Sequence, residues 1–419
     1  MTNSVIKKIV YKLDIKFVSP INLSSGKEGM TDNDLLVDFD GVPFIPGTSI
    51  AGAFRNYFDD NSLFGFSDDD DNGKMSSLFI SDLTFNKTNK DIRDGVALDD
   101  NKITKKGAKF DFEIIGANAS GYFFIELTIR ENDDEDSLRG VLCDAVSGIK
   151  KHEIRLGSNK TRGYGIIDLA KVSCKEFNKH NYLEYAKAFE VESYESLSDI
   201  KDSFDSDYSN MVKISVPLKL DGGISIRKYS VRKNEPDFEQ LTDNGYPVIP
   251  GTSMAGALRH RVKDILRSLK NNELDLDENR LIDEMFGFVN EKSKKAHSSN
   301  VVIDEVAIHN SRPLVITRTG VSRFESSAKD GALYKEKTYV EGDFNLNIYI
   351  KDQKDWIMGI LLLAIKDLQN GYLAVGGQTS IGRGIFKANG PILIDGKENK
   401  EDEYIACSIK NYKESHVTR

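Results

Sequence analysis

Residues 45–55 read Ile45-Pro46-Gly47-Thr48-Ser49-Ile50-Ala51-Gly52-Ala53-Phe54-Arg55. Residues 249–259 read Ile249-Pro250-Gly251-Thr252-Ser253-Met254-Ala255-Gly256-Ala257-Leu258-Arg259. Nine of the eleven positions are identical at an offset of 204, which chance does not give in a chain of 419 residues. The chain is therefore a tandem repeat of two units of about 200 residues each. The expected division is 1–208, ending in an acidic linker, and 209–419.

Around the motif the first unit unfolds in order. Residues 5–18 alternate as a half-buried strand does, and 19–44 form a long polar loop. Pro46-Gly47 is a turn signal, with Thr48 or Ser49 as N-cap of a short helix that carries Ile50, Phe54, Tyr57 and Phe58 at helical spacing. Residues 77–85 read as a strand and 86–108 as a polar, basic loop. Residues 110–115 and 122–130 read as a hairpin. Leu138, Val141, Leu142, Ala145, Val146 and Ile149 make an amphipathic stripe. A glycine-rich turn (157–165), a strand (166–173) and a polar, acidic linker (174–210) close the unit.

The second unit repeats this order with a strand at 211–220, a basic loop at 221–246 and a longer helix bearing Leu258, Val262, Ile265, Leu266 and Leu269. Phe64-Gly65-Phe66 returns as Phe286-Gly287-Phe288, and Arg93-Asp94-Gly95-Val96 as Arg318-Thr319-Gly320-Val321. Gly107, Ala108 and Phe110 return as Gly331, Ala332 and Tyr334. A second helix falls at about 355–370, and the glycine turn returns as Gly376–Gly384 at offset 219. The order β-α-β-β-α-β, twice, is the α+β ferredoxin-like plan, an antiparallel sheet with helices on one face.

Composition narrows the function. Hydrophobic content of 39%, charged content of 29% and a mean hydropathy of -0.41 fit a soluble protein with packed cores. Cys143, Cys174 and Cys407 have no CxxC spacing, which argues against a disulfide framework or zinc knuckle and fits a reducing compartment. The N-terminus lacks a signal-type apolar core, and the longest apolar segment, Trp356–Ile365, is too short to span a bilayer, so a cytoplasmic location and no membrane partner are expected. The six histidines make no HxH or HExxH pattern, and there is neither a P-loop nor a GxSxG. Net charge is -9, but it is unevenly spread. Acid concentrates at Asp68–Asp71, Asp133–Asp136, 186–206 and 396–403. Base concentrates at Lys102, Lys105, Lys106 and Lys109, at Arg227, Lys228, Arg232 and Lys233, and at Arg259–Lys270. Basic runs beside repeated motifs point to a polyanion partner.

A turn feeding a helix N-terminus presents backbone N–H groups to an anion, so Gly47, Thr48 and Ser49, and Gly251, Thr252 and Ser253, are candidate phosphate contacts. Arg55 and Arg259 would reinforce them, and the small Ala51, Gly52 and Ala53 would let another backbone approach. Gly376 and Gly377 with Arg383, and Lys160 and Arg162 in the first copy, are a second set. Tight packing turns are the alternative reading of both.

The combination of Ile45–Gly52, Arg93–Asp99 and Gly376–Gly384, with second copies of each, resembles the RAMP superfamily of CRISPR-associated proteins. Within it, the chain resembles the Cas-seven group, the backbone subunits of type III effector complexes. The resemblance covers roughly 5–170 and 211–390. It implies two fused RRM-like RAMP domains that hold a guide RNA, meet a target RNA and assemble with other effector subunits. Each would insert a β-hairpin thumb from about 86–108 or 309–337, where Arg312, Arg318, Arg323, Lys329, Lys335 and Lys337 suit RNA contact. It also implies target-RNA cleavage by an aspartate ahead of the Pro-Gly turn, with Mg²⁺ or another divalent metal. Asp32, six residues before Asp38, fits that place and would be the metal ligand, with Asp34 in reserve. In the second unit Pro236 stands at the matching distance and Asp237 beside it. A guide-processing endoribonuclease and a purely architectural RNA-binding subunit are the alternatives.

Overall fold

The computed structural model describes residues 4–26, 29–58, 63–66, 73–98, 104–229, 236–271, 277–290, 294–398 and 400–406. Asp68–Asp71, Asp99, Lys102, Arg232, Lys233 and Cys407 lie outside them. The chain forms two compact units, Met1–Lys160 with Tyr164–Asn210, and Thr161–Gly163 with Met211–Arg419.

In the first unit, strand Val5–Phe17 lies between Ile167–Asn178 and Ser120–Arg130, and the latter is flanked by Leu78–Ile80 and Leu83–Lys87, all antiparallel. Alternation on the central strand selects the core face. Ile9, Tyr11, Leu13, Ile15 and Phe17 point to helices Gly47–Arg55 and Glu135–Lys150, whose Ile50, Phe54, Leu142, Val146 and Ile149 are buried among them. The second unit repeats the sheet. Val212–Asp221 lies between Ile385–Ala388 with Leu393–Ile394 on one side and Asp343–Ile350 on the other, followed by Val301–Ile303. Helices Gly251–Asn271 and Asp355–Gln369 supply its core partners, with Leu258, Val262, Ile357, Leu361 and Ile365 fully buried. Both units thus have the ferredoxin-like plan. No helix among the described residues is long and apolar enough to cross a membrane.

Three expectations change. Residues 110–115 do not form a hairpin with 122–130. Thr104–Ile115 pairs with Lys90–Leu98 instead, so most of the expected basic loop is a two-stranded ribbon. Phe110, Phe112 and Ile114 alternate and mark the inner end, but Lys, Asp and Gly on both faces leave the rest of these strands without an apolar period. Its counterpart is a second ribbon, Arg312–Val321 with Ala328–Val340. There the long loop 221–246 adds strands, Arg227–Tyr229 pairing with Phe238–Gln240, which runs parallel to the ribbon. The third change is at 174–210, which is not a solvated linker. The last strand extends to Asn178, and short helical turns at Tyr182–Lys187 and Glu192–Glu195 bring Ala188 and Tyr194 onto Val10, Phe124 and Phe177 on the outer face of the sheet. Aromatic residues interleaved with the acid drive that packing.

Candidate functional site

The repeated motif divides into a packing part and an exposed part. Pro46 is the N-cap residue of its helix and no side chain caps it, so neither Thr48 nor Ser49 does. The Gly47 amide instead donates to Asp82 Oδ1 (2.7 Å). Gly47 is buried, and a Cβ there would strike the Ile80 carbonyl and lie 2.9 Å from that of Ser81. At Gly251 a Cβ would lie 2.5 Å from the Ile303 carbonyl, at the equivalent edge of the second sheet. Gly52, expected to admit a neighbouring backbone, has nothing within 4 Å of its Cβ position, and neither has Gly256. The close approach is made by the first glycine of the motif. Thr48, Ser49 and Thr252 are exposed and Ser253 half-exposed.

The motif arginines have a shared structural partner. Arg55 Nη2 donates to the Gly65 carbonyl (3.1 Å), and Arg259 Nη1 to the Gly287 carbonyl (3.3 Å). These are the central glycines of the two Phe-Gly-Phe copies. Both have positive φ (69° and 74°) and sit hard against backbone further along the chain, Lys74–Ser76 and His297–Ser299, which explains why the central glycine recurs.

The glycine turns also bond inward. The Leu156 amide donates to Gly165 and the Val375 amide to Gly384, each at 2.9 Å. Gly165 and Gly384 donate in turn to Pro20 and Gly223, and Ser158 and Gly377 to Asn22 and Ser225. Each turn is stitched to the loop after its unit's first strand, and its glycines answer to positive φ and close backbone contact. Gly376 and Gly377 are exposed, Lys160 is half-buried and Arg162 exposed. Arg383, expected to add surface charge, is buried at 8% exposure, because its guanidinium folds onto Gly223. In the first unit Tyr164 takes that slot with Phe112 and Ile114. The second unit has Glu336 and Thr338 buried near the ribbon root, with Arg318 Nε 3.7 Å from Glu336 Oε2. Arg323 is exposed in the turn of the second ribbon.

The aspartates ahead of the motif meet the ribbons. Asp32 Oδ2 accepts from the Asp111 amide (2.9 Å), and Asp111 Oδ1 accepts from the Asp32 amide (3.0 Å). Glu113 extends the seam, with Oε2 accepting from the Leu35 amide (2.9 Å) and its own amide donating to Asn33. In the second unit Asp237 Oδ2 accepts from the Lys335 amide (2.7 Å). Phe110 and Tyr334 are equivalent in the repeat, so Asp111 and Lys335 are equivalent too. Asp237, rather than Pro236, therefore holds the place of Asp32, one residue off the count because the second loop is built differently.

Asp32 and Asp237 are exposed. Asp34 turns inward: hydrogen bonds from the Thr31 amide (3.0 Å) and hydroxyl (2.9 Å) hold its carboxyl below the ordinary range and fold the loop locally. Among the described residues no three His, Cys, Asp or Glu side chains gather into a metal cage. Asp32 with Asp111 supplies two carboxylates, a donor set that fits a magnesium ion completed by phosphate oxygens. Asp111 and Glu113 escaped the sequence reading, which named Lys335 only as an RNA contact of the ribbon, although the Phe110/Tyr334 match already aligned Asp111 with Lys335.

The RAMP superfamily model matches residues 14–168 and 217–387, one match per unit. None of the curated proteins matches the chain.

Proposed function

The chain belongs to the RAMP superfamily, and from that premise, which carries a CRISPR-associated, RNA-binding role, we propose that it is a guide-RNA-binding backbone subunit of a type III effector complex that also cleaves target RNA. The observation that supports this reading best is the repeated one. In each unit an exposed aspartate ahead of the Pro-Gly turn accepts a hydrogen bond from the same backbone position of a projecting ribbon. A carboxylate fixed beside an inserted ribbon is suitably placed to act on RNA whose backbone the ribbon has splayed.

Asp32 and Asp111 would hold a divalent cation, which when bound supplies charge neutralisation at the scissile phosphate. The chain's own part is positional. The reciprocal Asp32–Asp111 bonds and the Glu113–Leu35 bond fix the loop, and the exposed Thr48 and Ser49 hydroxyls remain available to the guide backbone. Asp237 has Lys335 where Asp32 has Asp111, so the second unit presents one carboxylate beside an exposed lysine.

The test is cleavage of labelled target RNA by complexes carrying Asp32→Ala, Asp237→Ala or both, in Mg²⁺ and in EDTA. One cleavage position should vanish with Asp32→Ala, and loss of a different position with Asp237→Ala would assign a second site. Unchanged cutting by Asp32→Ala would remove the site assignment, and absence of guide RNA from the assembled complex would remove the function.

A further inference from the structure

An open cavity in the second unit gathers cationic and aromatic side chains. Its volume is about 840 Å³, and Thr161, Arg162, Arg259, Asp283, Phe288 and His297 are among the residues that line it. Thr161–Gly163 belong to this unit. Arg162 and Arg259 come from different motifs, the glycine turn and the Pro-Gly helix, and meet at one hollow. None of the lining residues belongs to the Asp32–Asp111 or Asp237–Lys335 pair.

The walls are fixed by the protein itself. Arg259 Nη1 donates to the Gly287 carbonyl (3.3 Å), and Nη2 lies 3.5 Å from Asp283 Oδ1, so this guanidinium is held in place. Gly287, at positive φ, turns the chain into the hairpin Phe288–Asn290 with Lys295–His297. Phe288 and His297 are directly paired in it, so they share a face, and both are exposed. The positive charge is only partly answered. Asp283 is the one carboxylate among the described lining residues, and it faces Arg259. The Arg162 guanidinium, the Thr161 hydroxyl and the His297 imidazole have no hydrogen-bond or ion-pair partner among the described residues. Arg162 is exposed, yet partial desolvation and then the charge of Arg259 pull its guanidinium below the ordinary range.

We infer that this cavity binds a nucleoside phosphomonoester, with the phosphate between Arg162 and Arg259 and the base against Phe288 and His297. Planar guanidinium forks match phosphate oxygens in pairs, and a dianion between two of them offsets their mutual repulsion. A monoester brings close to two charges at neutral pH, where an internal phosphodiester brings one. The Thr161 hydroxyl adds a donor. Every base has a flat face that stacks on an aromatic ring, so the Phe288–His297 wall takes a base without reading its identity. The volume is that of a small-molecule site. A free nucleotide and the end of an RNA present the same monoester.

The full-length chain, freed of RNA by nuclease and repurified, is titrated calorimetrically at physiological ionic strength with nucleoside 5′-monophosphates, with inorganic phosphate and with the nucleosides alone. The monophosphates should saturate a single site per chain and bind more tightly than phosphate or nucleoside. Arg162→Gln should weaken nucleotide and phosphate alike by about ten- to a hundredfold, the loss of a hydrogen bond to a charged group. Phe288→Ala should weaken the nucleotide toward the level of phosphate and leave phosphate itself unchanged. Both side chains are exposed, and circular dichroism checks that each variant keeps the wild-type melting temperature. Oligoribonucleotides ending in a 5′-phosphate or a 5′-hydroxyl then compete for the bound nucleotide. Displacement by the phosphorylated end alone assigns an RNA terminus, and displacement by neither assigns a free nucleotide. Equal displacement by both ends, nucleotide binding that is absent or no tighter than that of phosphate, or an Arg162→Gln variant that binds as wild type does, overturns the inference and leaves the RNA-binding reading untouched.

Discussion

Substituting Gly47 by alanine separates packing from ligand contact in the repeated motif. The added Cβ would lie 2.9 Å from the Ser81 carbonyl oxygen and closer still to that of Ile80, where 3.4 Å or more is ordinary contact. Backbone atoms cannot swing aside as a side chain does, so the helix Gly47–Arg55 must retreat by roughly 1 Å, loosening Ile50 and Phe54, both fully buried. Overpacking of this kind costs about 1–3 kcal/mol. Alanine's better helix propensity returns about 0.5–1 kcal/mol, leaving a net loss centred near 1 kcal/mol (range about 0–2.5 kcal/mol), or ~2–4 °C in the first unit's transition. The same substitution at Gly52, five residues on in the same helix, meets nothing within 4 Å and should stabilise by about 0.5–1 kcal/mol. Thermal unfolding by circular dichroism reads both. A neutral or stabilising Gly47→Ala, or two glycines that respond alike, would refute the packing account. A Gly47→Ala protein of wild-type stability that releases RNA would point to a backbone–phosphate contact at this turn instead.

Arg259→Met should lower stability by about 1 kcal/mol through loss of the bond to the Gly287 carbonyl, seen as a lower melting temperature; a loss of RNA affinity at full stability would show that the guanidinium serves the ligand. The depressed carboxyl of Asp34, held by the Thr31 amide and then its hydroxyl, contributes stability that is complete above its ordinary value of 3.8 and fades as pH falls through the lower folded one. The melting-temperature gap between wild type and Asp34→Asn should therefore be constant at neutral pH and close below about pH 4; a gap that widens in acid contradicts the assigned bond.

The sequence displayed the sheet plan well because burial writes its own period. Ile9 to Phe17 alternate, Leu138 to Ile149 recur at helical spacing, and both patterns reappear in the structure. The ribbons were illegible for the converse reason. Thr104–Ile115 is mostly exposed over its outer half, so water satisfies either face there and no apolar rhythm marks that half, although Phe110, Phe112 and Ile114 mark the inner one. The segment after Asn178 was misread through its acid, which stays outside, while Ala188 and Tyr194 go in. The motif was visible, but its division was not. Identity at Gly47 and Gly251 reflects carbonyls contributed by strands far along the chain, and no local pattern contains them. The family pattern pointed to Asp32 in one unit and to Pro236 with Asp237 beside it in the other, and the structure gives Asp32 and Asp237 matching ribbon partners because a loop of different construction keeps a hydrogen bond and not a count.

The packed segment 178–204 has one more consequence. RRM-type domains read RNA by laying bases on aromatic side chains of the open sheet face. Here that face is shut in the first unit. Phe124 packs edge-on against Tyr194 and Phe189, Phe177 against Tyr185, and Val10 is wholly enclosed. The rings that another protein would offer to nucleobases are spent on the protein itself. On the proposed RNA-binding reading, contact with this unit falls to its rim, to loops, helix starts and ribbon, where the nucleic-acid backbone rather than the base faces is within reach.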